Sequence, residues 1–175
     1  SLLRLPAASS TIDELMAGGF RPLIDDSLVE DLSKVKRIVL CSGKVYYDLE
    51  AGRQNSNDGR VAIVRLEQFY PFPGNALREV IARYPNATQL FWTQEEPQNM
   101  GGWSFVEPRL REIASQELKL RYVGRVPSAS PATGSYAIHE LEHKEIVDRS
   151  LLEDSEEISA ASEPEVSEQI APASA

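Results

Sequence analysis

Short apolar runs rich in β-branched residues alternate along this chain with segments whose apolar positions recur at the spacing of a helix. Runs of this kind predict strands, because they can be buried on both faces of a sheet. Four strands are predicted in this way, at residues 37–41, 61–66, 88–94 and 119–124.

Helical periodicity follows each of these runs. In the clearest case the motif PFPG ends the second run, and the apolar residues Leu77, Val80, Ile81 and Tyr84 then recur at i, i+3, i+4 and i+7. Further helices are predicted at residues 44–53, 101–114 and 136–152. Strands that alternate with helices of about 10 to 15 residues indicate βαβ units. The sequence therefore predicts an α/β fold with an open, mostly parallel sheet and helices on both faces.

Length and composition predict one domain with flanking segments. The chain has 175 residues, of which 42% are hydrophobic, and no apolar run approaches the length of about 18 residues needed to span a membrane. We expect the α/β domain at residues 33–152, with a leading segment at 1–32 that comes from a preceding domain and wraps against it. The opening SLLRLPAASS has neither an initiating methionine nor a secretory pattern, which suggests a fragment of a longer chain.

Negative charge is concentrated at the C-terminal end. The formal net charge is −9, and residues 151–175 contribute seven acidic and no basic side chains. Residues 153–175 are also rich in Ser, Ala and Pro with little to bury, which predicts an acidic, disordered tail. Because no basic stripe interleaved with aromatic residues is present, we expect no nucleic-acid partner.

The motif HELEH at residues 139–143 has the H-E-x-x-H spacing of zinc proteases. On a helix this spacing places His139 and His143 on one face, with Glu140 beside them as a general base. A third ligand could be sought at Glu163, about 20 residues on, but Glu163 lies in the tail that is predicted to be disordered.

The charges around this motif favour an ordinary surface helix. Glu142 places a charge between Glu140 and the second histidine, where the helix of a zinc protease prefers uncharged residues. The pairs Glu140–Lys144 and Glu145–Arg149 have the i,i+4 spacing of ion pairs on a solvated face. We therefore predict no zinc-protease site in this helix and assign no metal ligand from the sequence.

The motif CSGK lies between a predicted strand and a helix. Amides near Gly43 and the ammonium group of Lys44 could bind an anion there. The phosphate-loop spacing fails, however, because Ile38 stands in place of the first glycine and Val45 in place of Ser or Thr. Cys41 could be a nucleophile, but a cysteine at the end of an apolar strand favours a core residue.

The densest polar cluster is TQEEPQNMGGW (93–103), in the loop after the third predicted strand. In parallel sheets, ligand-binding residues normally lie here, beyond the carboxyl ends of the strands. Gly101 and Gly102 permit a close approach of the backbone before the next helix. Two interpretations stay open: a loop whose carboxylates satisfy amides at a helix start, or a binding interface. The candidate interface residues are Glu95, Glu96, Gln98, Asn99 and Trp103.

Five motifs occur in order along residues 1–152: SLLR.P, CSGKVYYDL, AIVRLEQFYPFP, TQEEPQNMGGW and GR..SASPATGS. With this order and spacing the chain resembles the C-terminal region of 2-oxoglutarate dehydrogenases, the thiamine-diphosphate-dependent, decarboxylating first component of that complex. The resemblance implies a domain like the transketolase C-terminal domain, which agrees with the alternation of strands and helices. It also implies a homodimer that docks on a dihydrolipoyl succinyltransferase core.

The resemblance implies that the active site belongs to the rest of the parent enzyme. Members of the family bind thiamine diphosphate and Mg²⁺ in upstream domains, through a GDG motif followed by asparagines, and no GDG occurs in this sequence. Their catalytic histidines are also upstream. We therefore expect no catalytic or cofactor-binding residue in this chain, whose expected role is assembly: dimer contacts and the entrance to a site built elsewhere.

An alternative role is a stand-alone module that binds a nucleotide or acetyl-CoA effector. Actinobacterial relatives use the glutamine of the LEQ motif for acetyl-CoA, and Gln68 matches it. The basic residues that follow in those relatives are replaced here by Gly74, Asn75 and Ala76. The sequence leaves open whether the parent enzyme uses 2-oxoglutarate or 2-oxoadipate. We expect a bacterial cytoplasmic protein rather than a mitochondrial one.

Overall fold

A computed structural model describes residues 2–56 and 59–152 of the chain. The strands are β1 (Leu23–Ile24), β2 (Arg37–Cys41), β3 (Val61–Leu66), β4 (Gln89–Pro97) and β5 (Lys119–Arg125). The helices are α1 (Ile12–Ala17), α2 (Val45–Ser56), α3 (Gly74–Ala82), α4 (Trp103–Ile113) and α5 (Tyr136–Leu151). Short 3-10 helices span Leu2–Arg4, Pro6–Ala8 and Leu32–Lys34.

The five strands form one sheet in the order β1-β3-β2-β4-β5. β2 pairs in parallel with both β3 and β4, and β4 pairs in parallel with β5. The predicted α/β fold with an open, mostly parallel sheet is therefore confirmed. β1 pairs with β3 in the antiparallel direction at the edge of the sheet, and the sequence pattern does not predict this strand.

Side chains of the buried central strand β2 alternate between the two faces of the sheet, as the two-residue period of a strand requires. Ile38 and Leu40 belong to the first core, which Leu77 of α3 and Leu110 of α4 cover. The apolar face that the periodicity predicts for α3 is the face that packs here. The first core therefore joins the sheet to the two helices that flank β4 in sequence.

The second core lies on the opposite face of the sheet. Val39 and Cys41 of β2 belong to it, together with Leu49 of α2 and Ile146 and Leu151 of α5. Helices on both faces make a three-layer α/β/α arrangement. Because α2 and α5 both pack on this face, the HELEH motif of α5 lies close to the helix that follows β2.

The leading segment contributes directly to the sheet, because it contains β1. The predicted boundary between residues 32 and 33 stays a prediction. The expected acidic tail, residues 153–175, lies outside the described residues. Within residues 2–56 and 59–152, no helix combines the length and the apolar character that crossing a bilayer would require.

Candidate functional site

β4 extends beyond the predicted end of its strand and leads into the polar loop. Its pairing with β5 is regular as far as Thr93 and resumes only at Pro97. Such an irregularity interrupts the ladder and re-aims the side chains within it. Gln94, Glu95 and Glu96 occupy this interrupted stretch at the carboxyl edge of the sheet.

The loop closes around the side chain of Gln94, which is only 4% exposed. Its Oε1 accepts hydrogen bonds from the indole Nε1 of Trp92 at 2.8 Å, from the backbone N of Gly102 at 3.1 Å and from that of Trp103 at 3.0 Å. The last two donors lie at the start of α4, where backbone N–H groups have no partner within the helix. Gln94 therefore fixes the point at which α4 begins.

The amide nitrogen of Gln94 binds the same loop from its other side. Its Nε2 donates to the carbonyl oxygens of Glu96 at 3.2 Å, Pro97 at 3.1 Å and Met100 at 2.8 Å. The sequence pattern does not distinguish Gln94 from the other polar residues of this stretch. The available signal is an uncharged polar residue at the end of a buried apolar run, a few residues before a loop with Pro97 and Gly101, whose backbone groups need hydrogen-bond partners.

The two glycines of the loop permit the close approach that the sequence predicts. Gly101 has φ +66°, and a Cβ atom there would lie 2.9 Å from Nε2 of Gln94. A Cβ atom on Gly102 would lie 2.7 Å from the ring of Phe69 and 2.9 Å from that of Trp92. A larger residue at either position would therefore push against the packed loop.

The predicted interface residues of the loop lie in different surroundings. Glu96 is exposed, and the exposed side chain of Asn99 exchanges two 3.0 Å hydrogen bonds with the backbone of Ser128. Gln98 is half-buried, and its backbone N donates to the carbonyl of Arg125 at 3.0 Å. Of these residues, Glu96 and Asn99 are the ones that present side chains at the surface.

Trp103 lies in the core, at 7% exposed, with its ring centroid 5.2 Å from that of Tyr122. It therefore supports the loop from beneath instead of presenting a side chain at the surface. Glu95 is half-buried and turns away from the outer rim of the loop, toward α2 and α5.

Glu95 meets two other titratable side chains that are distant in sequence. One ligand atom each from Asp48 of α2, Glu95 and His143 of α5 lie within 4.8 Å of one another. His143 Nε2 lies 3.2 Å from Oδ2 of Asp48, and His143 Nδ1 lies 3.6 Å from Oε1 of Glu95. All three side chains are half-buried. The imidazole ring is therefore positioned between two carboxylates from two different elements.

Lys44 adds a positive charge beside the carboxylates of this cluster. Its Nζ lies 2.7 Å from Oδ2 of Asp48. The hydrogen bond to Asp48, reinforced by the negative charges of Asp48, Glu95 and Glu140, raises the pKa of Lys44. The ammonium group of the CSGK motif is thus paired with an acidic side chain of the protein itself.

The two histidines of the HELEH motif differ in exposure: His139 is exposed, and His143 is half-buried. The rings of His139 and His143 lie on the same side of α5, with centroids 6.0 Å apart. Glu140 is also exposed. Glu142 is half-buried, and its Oε2 lies 2.9 Å from Nε of Arg125 in β5. Glu163, the residue considered as a third ligand, lies outside the described residues.

Cys41 is fully buried, and burial raises the pKa of its thiol above the ordinary range. The interpretation of this residue as part of the core is confirmed. The predicted surface pair Glu145–Arg149 is also present, at 3.7 Å.

Comparison with known proteins decides the family. The family model described as 2-oxoglutarate dehydrogenase C-terminal matches residues 9–151. The chain belongs to this family. The resemblance carried by the five sequence motifs is confirmed.

Several curated relatives support the assignment to the 2-oxoglutarate dehydrogenase C-terminal family. A 2-oxoglutarate dehydrogenase E1 component from Geobacillus sp. (strain WCH70) is 47% identical over 150 residues, covering 84% of this chain and 16% of that protein. The E1 component from Cupriavidus necator is 45% identical over 148 residues, covering 85% and 16%. A probable 2-oxoadipate dehydrogenase complex component E1 homolog from Dictyostelium discoideum is 44% identical over 148 residues, covering 83% and 16%. The chain thus spans about 16% of the length of these relatives.

Gln68, the candidate effector residue suggested by relatives of this family, lies just beyond β3. Its Nε2 donates to the carbonyl oxygen of Pro71 at 2.6 Å. The amide nitrogen is therefore engaged within its own turn.

Proposed function

We propose that this chain is the C-terminal domain of a 2-oxoglutarate dehydrogenase E1 component, which oxidatively decarboxylates 2-oxoglutarate and succinylates the lipoyl group of its partner in the tricarboxylic acid cycle. The observation that carries the proposal is the family match over residues 9–151. The Dictyostelium relative, whose name refers to 2-oxoadipate, makes that homologous 2-oxo acid the second candidate substrate.

Within that enzyme the domain contributes to assembly. Thiamine diphosphate and Mg²⁺ are bound by the rest of the parent chain, because the GDG motif that serves them in the family does not occur in this sequence. The domain contributes contacts to the second subunit of a homodimer, and the parent enzyme docks on a dihydrolipoyl succinyltransferase core. The bacterial relatives support the bacterial cytoplasm as its location.

An apolar surface on the leading segment supports the assembly role. Helix α1 begins with a capping box between Thr11 and Glu14, so its conformation is stabilised locally. Its apolar side chains nevertheless face solvent, with Leu15 71% and Met16 81% exposed, and Phe20 just beyond it is 71% exposed. Adjacent exposed apolar side chains are typical of a surface that another protein element covers.

The activity is tested with the full-length enzyme that contains this chain. Reconstituted with a dihydrolipoyl succinyltransferase and a dihydrolipoyl dehydrogenase, the complex should reduce NAD⁺ when 2-oxoglutarate, coenzyme A, thiamine diphosphate and Mg²⁺ are supplied, because coenzyme A accepts the succinyl group and leaves the dihydrolipoyl group to be oxidised. Preference for 2-oxoadipate under the same conditions would assign the second substrate. Failure with both acids would contradict the proposed function.

The assembly role is tested at Glu96, the exposed carboxylate of the loop after β4. Glu96→Lys in the full-length enzyme should weaken the dimer in sedimentation and lower turnover, because a reversed charge at an interface opposes its partner. Glu79→Lys, an exposed carboxylate on α3, is the matched control and should change neither measurement. Thermal melting of the 175-residue chain should be the same for both variants. A fully active Glu96→Lys dimer would show that the loop is not part of the interface.

A further inference from the structure

Three parts of the fold bring potential metal ligands to one place beside the second core. Asp48 comes from the first turn of α2, Glu95 from the interrupted end of β4, and His143 from the middle of α5. One oxygen from each carboxylate and one nitrogen of the imidazole lie within 4.8 Å of one another. We propose that Asp48, Glu95 and His143 form a binding site for a divalent transition-metal cation of the zinc type.

The donor atoms favour this class of cation. One imidazole nitrogen with two carboxylate oxygens suits zinc and its neighbours, whereas magnesium and calcium prefer oxygen ligands alone. A zinc ion about 2.1 Å from each donor would need the donor atoms roughly 3.4 Å apart. The three donors therefore have to draw together by no more than about 1.4 Å from their present separation.

The surroundings of the imidazole supply a second argument. Nδ1 of His143 is buried and has no hydrogen-bond partner of acceptable geometry among the described residues. A buried polar atom without a hydrogen-bond partner destabilises the folded state unless a proton or a metal ion binds to it. Nδ1 also faces the carboxylate of Glu95, 3.6 Å away. Because Asp48 faces the other ring nitrogen, Nε2, its carboxylate has to turn toward Nδ1 for all three donors to share one cation.

Lys44 supplies a positive charge at this cluster. Its ammonium group contacts the Asp48 oxygen that also faces His143. The side chain is 43% exposed and can turn toward solvent when a divalent cation replaces it. Lys44 and the cation therefore compete for Asp48, so removing the ammonium group should strengthen metal binding.

This site differs from the zinc-protease arrangement suggested by HELEH. Of the two histidines, only His143 faces the carboxylates, while His139 lies at the surface and is excluded from the ligand set. The bound cation would cross-link α2, the end of β4 and α5, which makes its role structural. The inference concerns this chain alone and does not depend on the proposed enzymatic function.

The test uses the 175-residue chain, freed of metal with a chelator, then titrated with zinc by calorimetry and with cobalt by visible absorption. We expect one saturable site per chain, with cobalt absorption bands that zinc displaces. Because removing even a group behind a metal ligand commonly lowers affinity about 10- to 100-fold, His143→Ala should weaken binding by at least about tenfold. His139→Ala is the matched control and should change affinity less than about twofold.

Two further variants keep the test decisive. Lys44→Met should raise zinc affinity. Glu95→Gln preserves the shape of the side chain and should lower zinc affinity. The Glu95→Gln variant therefore tests the site independently if His143→Ala does not fold. Circular dichroism establishes that each variant is folded. The acidic residues 153–175 remain in every variant, so zinc held there would bind wild type and His143→Ala equally, which would overturn the proposal. Equal losses in His139→Ala and His143→Ala, or no saturable binding by the wild type, would also overturn it.

Discussion

The carboxylate of Asp26, in the segment that follows β1, is paired with the guanidinium group of Arg53 in α2 in a site that excludes most solvent. The two side chains are 3% and 12% exposed. The same carboxylate accepts hydrogen bonds from the backbone N of Ile63 in β3 at 2.8 Å and from that of Leu28 at 2.9 Å. The leading segment is thus fastened to a helix and to a central part of the sheet by one acidic side chain.

Removing this carboxylate should destabilise the chain strongly. Asp26→Ala removes one partner of a buried ion pair, a change that typically costs about 3–5 kcal/mol in the free energy of unfolding. Glu30→Ala, an exposed acid in the same segment, should change stability by less than about 0.5 kcal/mol. Urea denaturation followed by circular dichroism gives both values. Equal stabilities for the two variants would show that Asp26 does not fasten the leading segment.

Gln94 provides a second test, directed at the loop after β4. Gln94→Leu removes the partner of three donors and three acceptors, and each buried polar group left unsatisfied costs about 1–3 kcal/mol. Since water can reach part of the loop, we expect a loss of about 3 kcal/mol or more in the free energy of unfolding. Gln116→Leu, at an exposed position, is the control and should have almost no effect.

Tryptophan fluorescence during urea denaturation is the suitable measurement, because Trp92 donates directly to Gln94 and Trp103 follows the same loop. The native emission of Gln94→Leu should also shift, since Trp92 loses its hydrogen-bond acceptor. Stability within about 0.5 kcal/mol of Gln116→Leu would contradict the assigned role of Gln94.

Three of the four predicted strands were accessible from the sequence because their short apolar runs are buried on both faces of the sheet, whereas β5 alternates exposed and half-buried residues over its first four positions. β2, from Arg37 to Cys41, is the clearest case, with all five residues buried. β1 has only Leu23 and Ile24, too few residues to show any periodicity, and its pairing depends on contact with β3. Local pattern therefore predicts the layers of this fold but not its edge.

Local sequence pattern is also insufficient to predict how the side chains of the candidate site come together. The loop after β4 was found from its composition, because charges and glycines follow an apolar run. The arrangement of Asp48, Glu95 and His143 depends on how α2 and α5 pack on one face of the sheet, and residues about 50 positions apart in sequence carry no local signal of that contact. The HELEH spacing draws attention to His143 but pairs it with His139 and Glu140, whereas its neighbours in the structure are Asp48 and Glu95.

The single cysteine allows a test of the second core. Thiol reagents attack the thiolate, and Cys41 is fully buried with its pKa raised by that burial. Modification by a disulfide reagent should therefore require opening of the sheet, and should be about a thousandfold slower than in the urea-unfolded chain. Absorbance of the released thiol measures both rates. Comparable rates in the native and unfolded chains would show that this face of the sheet is open.

The half-buried phenol of Tyr122 should make the domain sensitive to alkaline pH. Burial raises the pKa of Tyr122 to about 12, and its hydroxyl lies 3.0 Å from the carbonyl oxygens of Glu96 and Arg125. An unfolded tyrosine ionises near pH 10. Because the folded pKa is the higher one, the stabilisation is fully present below about pH 10 and is lost as pH rises from there through about 12.

Replacing this phenol should therefore reduce the loss of stability at high pH. We expect the urea midpoint of the wild type to fall between pH 9 and pH 11.5, and that of Tyr122→Phe to fall by less, because one group that ionises preferentially in the unfolded chain has been removed. Tyr136→Phe is the matched control at an exposed position and should fall as the wild type does. Midpoints measured at both pH values for the three proteins decide the question. If Tyr122→Phe and Tyr136→Phe lose stability in parallel, the alkaline sensitivity does not arise from the phenol that packs beneath the loop.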